Sequence, residues 1–408
     1  MNVGDVFEVA IDRFNHQGEG ICIINGQVVF VKGALDGEKV KICIDHVSRK
    51  FVSAHVLDFL SRSVDRDDVK CPYYKSCGGC DIMHMNYNKQ HNFKMNKVKD
   101  IIKKFVHEDF LINSLEFDSQ FFYRNKATFH VKDGIGFFKE KSYDLISIDK
   151  CMISSHEINN VLSLLKSFDL KGVSSVVVRS SNFNKSVMVI FNIIGNFNRN
   201  IIDNLKDHVS SIYINDDLVY GEPYIIDKIG DFKFIISKDS FFQVNTPMAY
   251  KLYSKVKEYA CVDEFSSVLD LYCGTGTIGL FVGSKNLVGI EINESAIRDA
   301  RENALLNGVD AFFICGDSGE VLKKIDKHFD VVIVDPPRSG LSSLAINEVI
   351  GINASRIVYV SCDPITLARD LNILKEFYDI KELSLFDLFP NTHHVESVAL
   401  LSLKTLEK

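Results

Sequence analysis

The run Asp270-Leu-Tyr-Cys-Gly274-Thr-Gly276-Thr-Ile-Gly279 follows a strand-like segment, Ser267–Leu271, and opens a helix. Its glycines match G-x-G-x-x-G at a strand-to-helix turn. Without side chains there, a ligand can approach the backbone, and an acid at the end of the second strand can bond two ribose hydroxyls. Glu291 closes the next strand, Leu287–Ile292. Helical residues Ser295–Leu306 lead to strands at Ala311–Cys315, Asp330–Val334 and Ile357–Ser361. Upstream, Thr246-Pro247 reads as a capping side chain with proline at the first helical position. Strands alternating with helices predict a parallel α/β sheet whose ligands lie at the carboxyl ends of its strands.

Taken alone, the turn fits a nicotinamide dinucleotide and S-adenosylmethionine equally. Asp335-Pro336-Pro337-Arg338 separates them. The prolines force the chain out of the sheet at a strand end, which leaves Asp335 at the mouth of the site. An acid there has no evident part in hydride transfer, and several kinds of methyltransferase carry such a turn near the transferred methyl. The reading is S-adenosylmethionine.

Ser361-Cys362-Asp363-Pro364 ends the next strand, on the same rim as Gly274 and Asp335. A thiolate near a methyl donor can attack a ring carbon and make its neighbour nucleophilic, whereas most cysteines are simply small buried residues. Location favours catalysis for Cys362. Packing is the reading for Cys22, Cys43, Cys261, Cys273 and Cys315. Glu396 opens an apolar strand-like run, Glu396–Leu401, where a poorly solvated carboxylate has reason to act as a base. His393 and His394 carry no catalytic reading.

The 408 residues allow two or three domains at ~150 residues each. Composition is that of a globular protein, with 46% hydrophobic and 25% charged residues, so fibrous and disordered classes fail. No apolar run approaches the ~18 residues that span a bilayer, and the start lacks a signal-peptide pattern, so the expectation is a soluble cytoplasmic protein with no membrane partner. A formal charge of −7 confines any polynucleotide contact to a local patch.

Residues 1–60 carry five short strand-like runs with Asn25-Gly26 as a hairpin turn, which suggests a small β-barrel of the kind that often binds oligonucleotides. A polar linker precedes Cys71-Pro-Tyr-Tyr-Lys-Ser-Cys77-Gly-Gly-Cys80. A helix over about 87–105 follows, with Lys89, Lys94, Lys97, Lys99, Lys103 and Lys104. With Arg124 and Lys126 beyond, it is the candidate polynucleotide surface, although a lysine-rich helix is more often just solvated. Residues 121–239 read as α+β. There are no repeats or low-complexity segments.

In this order, several blocks resemble the RNA 5-methyluridine (uracil-C5) methyltransferases, specifically the branch with an N-terminal TRAM domain and an iron–sulfur cluster. They are Cys71…Cys77-Gly-Gly-Cys80, Tyr123-Arg-Asn-Lys, Phe241-Phe-Gln-Val-Asn, Asp270-Leu-Tyr-Cys-Gly, Asp335-Pro-Pro-Arg, Ser361-Cys-Asp-Pro-Ile-Thr-Leu-Ala-Arg-Asp and His394-Val-Glu. The resemblance covers nearly the whole chain. It implies an OB-like TRAM barrel over 1–60, a central α+β domain with the cysteine cluster over 61–240, and a Rossmann-like class I methyltransferase domain over 241–408. It also implies that Cys362 adds to C6 of a target uridine, that C5 takes the methyl group, and that Glu396 removes the C5 proton. The family's cofactor contacts fall on Gln243, Tyr272, Thr277, Glu291, Asp317 and Asp335.

Four thiolates, Cys71, Cys77, Cys80 and the candidate fourth ligand Cys151, suit zinc or an iron–sulfur cluster, and spacing does not separate the two. The resemblance favours 4Fe–4S, with a structural and RNA-positioning role. One departure is Asp81-Ile-Met-His84, where the family usually runs Gln-x-Gln-His. The RNA implied is 23S rRNA, with the T-loop uridine of tRNA as alternative, no DNA, and a monomeric enzyme. Rival readings are an iron–sulfur oxidoreductase, a non-catalytic RNA-binding protein, and a methyltransferase acting on an exocyclic nitrogen. The first two leave Cys362 and Glu396 unused, and the last needs no cysteine nucleophile.

Overall fold

The computed structural model describes residues 1–263, 265–325 and 328–405. They divide into two compact units. One holds Met1–Lys97, Phe138–Ile146 and Phe389–His393; the other holds Val98–Phe137, Ser147–Leu388 and the chain from His394 on.

The first unit opens with β1 (Val6–Ala10), β2 (Arg13–Phe14), β3 (Gly20–Ile24), β4 (Gln27–Lys32), β5 (Lys39–Val47) and β6 (Val52–Ser61), in the sheet order β1-β5-β6-β4-β3-β2. The short β2 is one strand more than the sequence pattern predicts. Asn25 and Gly26 have φ of 50° and 76°, the pair of positive values that a two-residue hairpin between β3 and β4 demands. Val40, Ile42 and Ile44 alternate inward along β5 onto Val29, Val31, Val52 and Ala54. Glu38 is fully buried and is held by Arg66, whose Nε and Nη2 donate to its carboxylate at 2.6 and 2.7 Å.

Helix α1 (Tyr87–Phe105) spans the predicted residues, but half of its lysines are used internally. Lys94 is fully buried and donates to the Phe389 carbonyl at 3.0 Å, and Lys97 donates to the His393 carbonyl at 3.0 Å. Lys89 pairs with Asp36 and Asp65 at 2.9 and 3.3 Å. Only Lys99, Lys103 and Lys104 remain exposed, which corrects the expectation of a continuous basic face. Apolar spacing marked the helix. It did not reveal that a loop almost 300 residues away needs amino groups for its carbonyls.

In the second unit, β7 (Leu111–Glu116) joins the large sheet described below. Strands β8 (Lys126–Val131), β9 (Ile135–Phe138), β10 (Leu145–Ser147), β11 (Val173–Ser180), β12 (Val187–Ile193), β13 (Ser211–Ile214) and β14 (Asp217–Gly221) form a sheet of order β10-β9-β8-β11-β12-β13-β14, with helices α2 (His156–Leu165) and α3 (Asn200–Leu205). A hairpin of β15 (Tyr224–Ile229) and β16 (Phe232–Ser237) leads to α4 (Thr246–Ala260). Asn245, not Thr246, caps α4: its side chain accepts from the Met248 amide, while Thr246 Oγ1 donates to buried Asp227 at 3.0 Å.

Next come β17 (Ser267–Leu271), α5 (Thr277–Val282), β18 (Asn286–Glu291), α6 (Glu294–Asn307), β19 (Ala311–Cys315), α7 (Ser318–Leu322), β20 (Val331–Val334), α8 (Ser343–Ile352), β21 (Arg356–Ser361), α9 (Pro364–Leu374), β22 (Tyr378–Phe386) and β23 (Glu396–Leu403). The sheet order is β19-β18-β17-β20-β21-β23-β22-β7. The five strands from β19 to β21 are parallel as expected; β23 runs antiparallel to both β21 and β22. That reversal brings the start of β23 beside the end of β21.

Candidate active site

The glycine turn is shaped residue by residue. Tyr272, Gly274 and Gly276 all have positive φ, at 62°, 54° and 76°. A side chain at Gly274 would meet nothing within 4 Å, so the turn faces open space there. At Gly276 a Cβ would lie 3.1 Å from the Phe313 ring, and at Gly279 only 2.7 Å from Asp270 Oδ2. The first glycine thus leaves room for a ligand, and the other two permit close packing. Glu291 accepts from the Gly274 amide at 3.2 Å and the Asn293 amide at 2.8 Å, which fixes its carboxylate at the end of β18. Asp317 caps α7 through the Glu320 amide at 3.1 Å, and the Tyr272 hydroxyl bonds Ser318.

Asp270 is 1% exposed; its Oδ2 accepts from the Gly279 amide at 2.9 Å, whereas Oδ1 has no hydrogen-bond partner among the described residues. Burial pushes its carboxyl up to about 8. Gln243 is nearly buried, and its backbone carbonyl receives the Asn125 side chain at 2.9 Å. Asn125 also donates to Thr246 Oγ1 at 3.1 Å, and its amide donates to the Val244 carbonyl at 2.9 Å. The Tyr123-Arg-Asn-Lys block therefore holds the Phe241-Phe-Gln-Val-Asn block in place. An open glycine turn, a ribose-compatible acid and a deep polar floor fit S-adenosylmethionine.

At the other side of β17, Leu271 pairs with Val334, and Val334 with Tyr359. Antiparallel pairing ends at Ser361 and Ser397, so Cys362 follows the last rung on one side and Glu396 precedes Ser397 on the other. Cys362 is half-buried; burial first, then Glu396 and Asp335, push its thiol up to about 12, and Arg338 opposes them. Glu396 is 6% exposed and is raised to about 8 by burial and then by Asp335, again opposed by Arg338. Burial raises Asp335 to about 7. Three of the predicted residues are thus brought together, and their surroundings favour the neutral thiol.

Arg338 had no assigned role in the sequence reading beyond its place in the Asp-Pro-Pro-Arg turn, yet it is the cation that counters these acids. The start of α9 steadies its loop. Thr366 Oγ1 donates to the Arg338 carbonyl at 3.1 Å, and Arg369 donates to the Ser339 and Leu341 carbonyls at 2.9 and 3.1 Å. Buried Asp370 accepts from the Leu341 amide and the Tyr359 hydroxyl at 2.9 and 2.6 Å. The block that begins at Ser361 therefore carries both the thiol and the clamp on the neighbouring loop.

Cys71, Cys77 and Cys80 lie half-buried in a loop whose Gly78 passes so close to Glu140 that a Cβ would fall 3.1 Å from its Cα. Beside them, Tyr74 Oη lies 2.6 Å from Nδ1 of buried His84, and Asp81 Oδ2 lies 2.7 Å from His393 Nδ1. The departure at Asp81 thus has an internal partner. Thiols are the right donors for a cluster, but among the described residues no three His, Cys, Asp or Glu side chains are gathered as a metal site requires. Cys151 is tied by its backbone to Asn159 at 2.8 and 3.0 Å. Cys22 and Cys273 are buried as expected. Cys261 and Cys315 are exposed instead, one as the left-handed end of α4 and the other at the end of edge strand β19.

The tRNA (uracil-5-)-methyltransferase family model matches residues 194–404, and the TRAM domain model matches residues 1–57. An uncharacterized RNA methyltransferase of Clostridium acetobutylicum is 35% identical, covering 97% of this chain and 96% of its own. A similarly described protein of Caldanaerobacter subterraneus is 36% identical over 98% and 99%. Among solved structures, the tRNA (uracil-54, C5)-methyltransferase of Pyrococcus abyssi in complex with S-adenosyl-L-homocysteine matches with a TM-score of 0.81 and 30% identity, over 97% of this chain and 99% of that one. No helix of the described residues is long and apolar enough to cross a membrane. With a TRAM domain at one end and the glycine turn and strand-end acids at the other, the chain belongs to the RNA uracil-5-methyltransferase family and is an S-adenosylmethionine-dependent methyltransferase.

Proposed function

We propose that the chain forms 5-methyluridine in RNA, with Cys362 as nucleophile and Glu396 as base. The observation that carries this reading is a half-buried thiol one residue past the end of β21 and a buried carboxyl at the start of the adjoining β23, with Asp335 and Arg338 acting on both. Carbon 5 of uracil is a poor nucleophile. Cys362 gives up its thiol proton to solvent, and addition of the resulting thiolate to C6 opens the 5,6 double bond and moves its electron pair toward C5 and O4 as an enolate. S-adenosylmethionine, when bound, supplies an electrophilic methyl group. Once C5 holds both methyl and hydrogen, the Glu396 carboxylate takes that hydrogen as a proton, the 5,6 double bond re-forms and the thiolate leaves. Burial and Asp335 raise Glu396 to about 8, which makes its carboxylate a stronger base once it is ionised.

Gln243, Tyr272, Thr277, Glu291, Asp317 and Asp335 are the proposed cofactor contacts. Glu291 suits the ribose hydroxyls, and Asp335 the methyl-transfer end. The proposed substrate is 23S rRNA, from the resemblance to the TRAM-and-cluster branch. A second reading, tRNA, is favoured by the Pyrococcus abyssi neighbour, which is a tRNA (uracil-54) enzyme. Cys71, Cys77, Cys80 and Cys151 are proposed as thiolate ligands of a 4Fe–4S cluster with a structural role, and no step of the transfer passes through it. Iron and labile sulfide in anaerobically purified protein, lost together in Cys77→Ala, test that assignment. The enzyme is proposed to act as a cytoplasmic monomer.

The test of the reaction is 5-fluorouridine-substituted RNA with S-adenosylmethionine. Fluorine cannot be removed as a proton is, so the adduct stalls. The expected result is a denaturation-resistant protein–RNA complex, absent in Cys362→Ala. No complex from protein that binds S-adenosylhomocysteine would overturn the mechanism and return the exocyclic-nitrogen reading.

A further inference from the structure

Tyr253, on α4, belongs to none of the sequence blocks that mark the site. It is 2% exposed, and its hydroxyl lies 3.1 Å from Thr277 Oγ1. The Gln243 side chain is a hydrogen-bonding neighbour acting on the same hydroxyl, and Asp335 and Asp270 both act on it electrostatically. One phenol therefore joins the segment before α4, α4 itself and the first residue of α5. A tyrosine needed only for packing has no use for a hydroxyl at this depth, where an unpaired one is costly.

The proton arithmetic gives the link a direction. Burial holds Tyr253 neutral, so it has one proton to donate and lone pairs with which to accept. With the Gln243 amide nitrogen donating to it, the phenol donates to Thr277. The Thr277 hydroxyl hydrogen is then left for an acceptor on the ligand. Glu291 is matched to ribose hydroxyls. Gln243 and Thr277 converge instead on a phenol within the field of Asp335, where the methyl group and the amino-acid chain of the donor would lie.

We propose that Tyr253 is a positioning residue that locks Gln243 and Thr277 in the conformation that receives the methionine end of S-adenosylmethionine. This rests on the cofactor contacts proposed above. The test is calorimetric binding of S-adenosylhomocysteine to wild type, Tyr253→Phe, Thr277→Val, Gln243→Ala and the Tyr253→Phe/Thr277→Val double variant, with KM for RNA and Tm measured alongside.

Tyr253→Phe should weaken S-adenosylhomocysteine roughly tenfold, the loss of about two neutral hydrogen bonds. The KM for S-adenosylmethionine should rise by a similar factor while the KM for RNA stays unchanged. The double variant should be less than additive, because both changes break the same link. Full additivity, or a Tyr253→Phe effect below twofold while the other variants weaken binding, would overturn the proposal. So would a fall in Tm with equal losses for both substrates, which would mark Tyr253 as a packing residue. If none of the variants weakens binding, the cofactor contacts themselves are wrong.

Discussion

Replacing Glu396 by Gln should make Cys362 more reactive while making the enzyme less productive. Two carboxyls, Glu396 and then Asp335, help raise the Cys362 thiol to about 12. Glu396 does so only when ionised. With its carboxyl at about 8, it is ionised to about 3% at pH 6.5 and about 97% at pH 9.5. An adjacent like charge in a partly buried site shifts a thiol by about one unit, or ~1.4 kcal/mol. Because only the thiolate is alkylated, the rate of iodoacetamide labelling follows the thiolate fraction. Glu396→Gln should therefore label Cys362 at the wild-type rate at pH 6.5 and about tenfold faster at pH 9.5. Mass spectrometry of the labelled peptide gives both rates. On the proposed mechanism turnover should move the other way, since an adduct without its base would keep its C5 proton, and the covalent RNA complex should accumulate with natural uridine. Generic unfolding would expose the thiol and speed labelling at both pH values, so an unchanged rate at pH 6.5 separates the coupling from damage. Equal labelling at both pH values would refute the electrostatic coupling between β21 and β23.

Three further outcomes follow from the same geometry. Arg338→Met removes the cation that opposes both acids, and because Arg338 is exposed and screened by solvent the effect is small: about two- to threefold slower Cys362 labelling at pH 9.5, with no change in Tm. Lys94→Ala should cost roughly 2–3 kcal/mol in urea titration, since it deletes a buried charged hydrogen bond, whereas Lys103→Ala on the same helix should stay within about 0.5. Asp270 ionises near 3.8 in an unfolded chain and at about 8 in the fold, so its contribution to stability is complete below pH 4 and is lost as pH rises through about 8. Asp270→Asn should remove that dependence, so urea titrations should find it gaining on wild type from pH 5 to pH 9; a constant difference would show that the carboxyl is not buried as described.

Much of the site was legible because its residues sit at strand ends, which periodicity and prolines mark. Cys362, Asp335 and Glu291 each close an apolar run, and the helix and strand spacing fixed which end of the sheet they share. Glu396 needed more. Its burial depends on β23 inserting antiparallel beside β21, a pairing that no local pattern encodes. Tyr253 and Arg338 escaped for a related reason: each acts through partners distant in sequence, so nothing nearby distinguishes them from an ordinary helical tyrosine or a loop arginine. The lysines of α1 show the opposite failure. Their sequence pattern is that of a solvated basic face, and only the carbonyls of residues 389 and 393 reveal why Lys94 and Lys97 turn inward. Cys261 is exposed rather than packed because it fills the left-handed end of α4, a position more often taken by glycine.

The most direct test of the reaction is nucleoside mass spectrometry of unmodified 23S rRNA and tRNA, each incubated with the enzyme and S-adenosylmethionine. Wild-type protein is expected to form 5-methyluridine in one of the two RNAs, and Cys362→Ala in neither. A new methylated nucleoside other than 5-methyluridine, or 5-methyluridine formed equally by Cys362→Ala, would contradict the proposed mechanism.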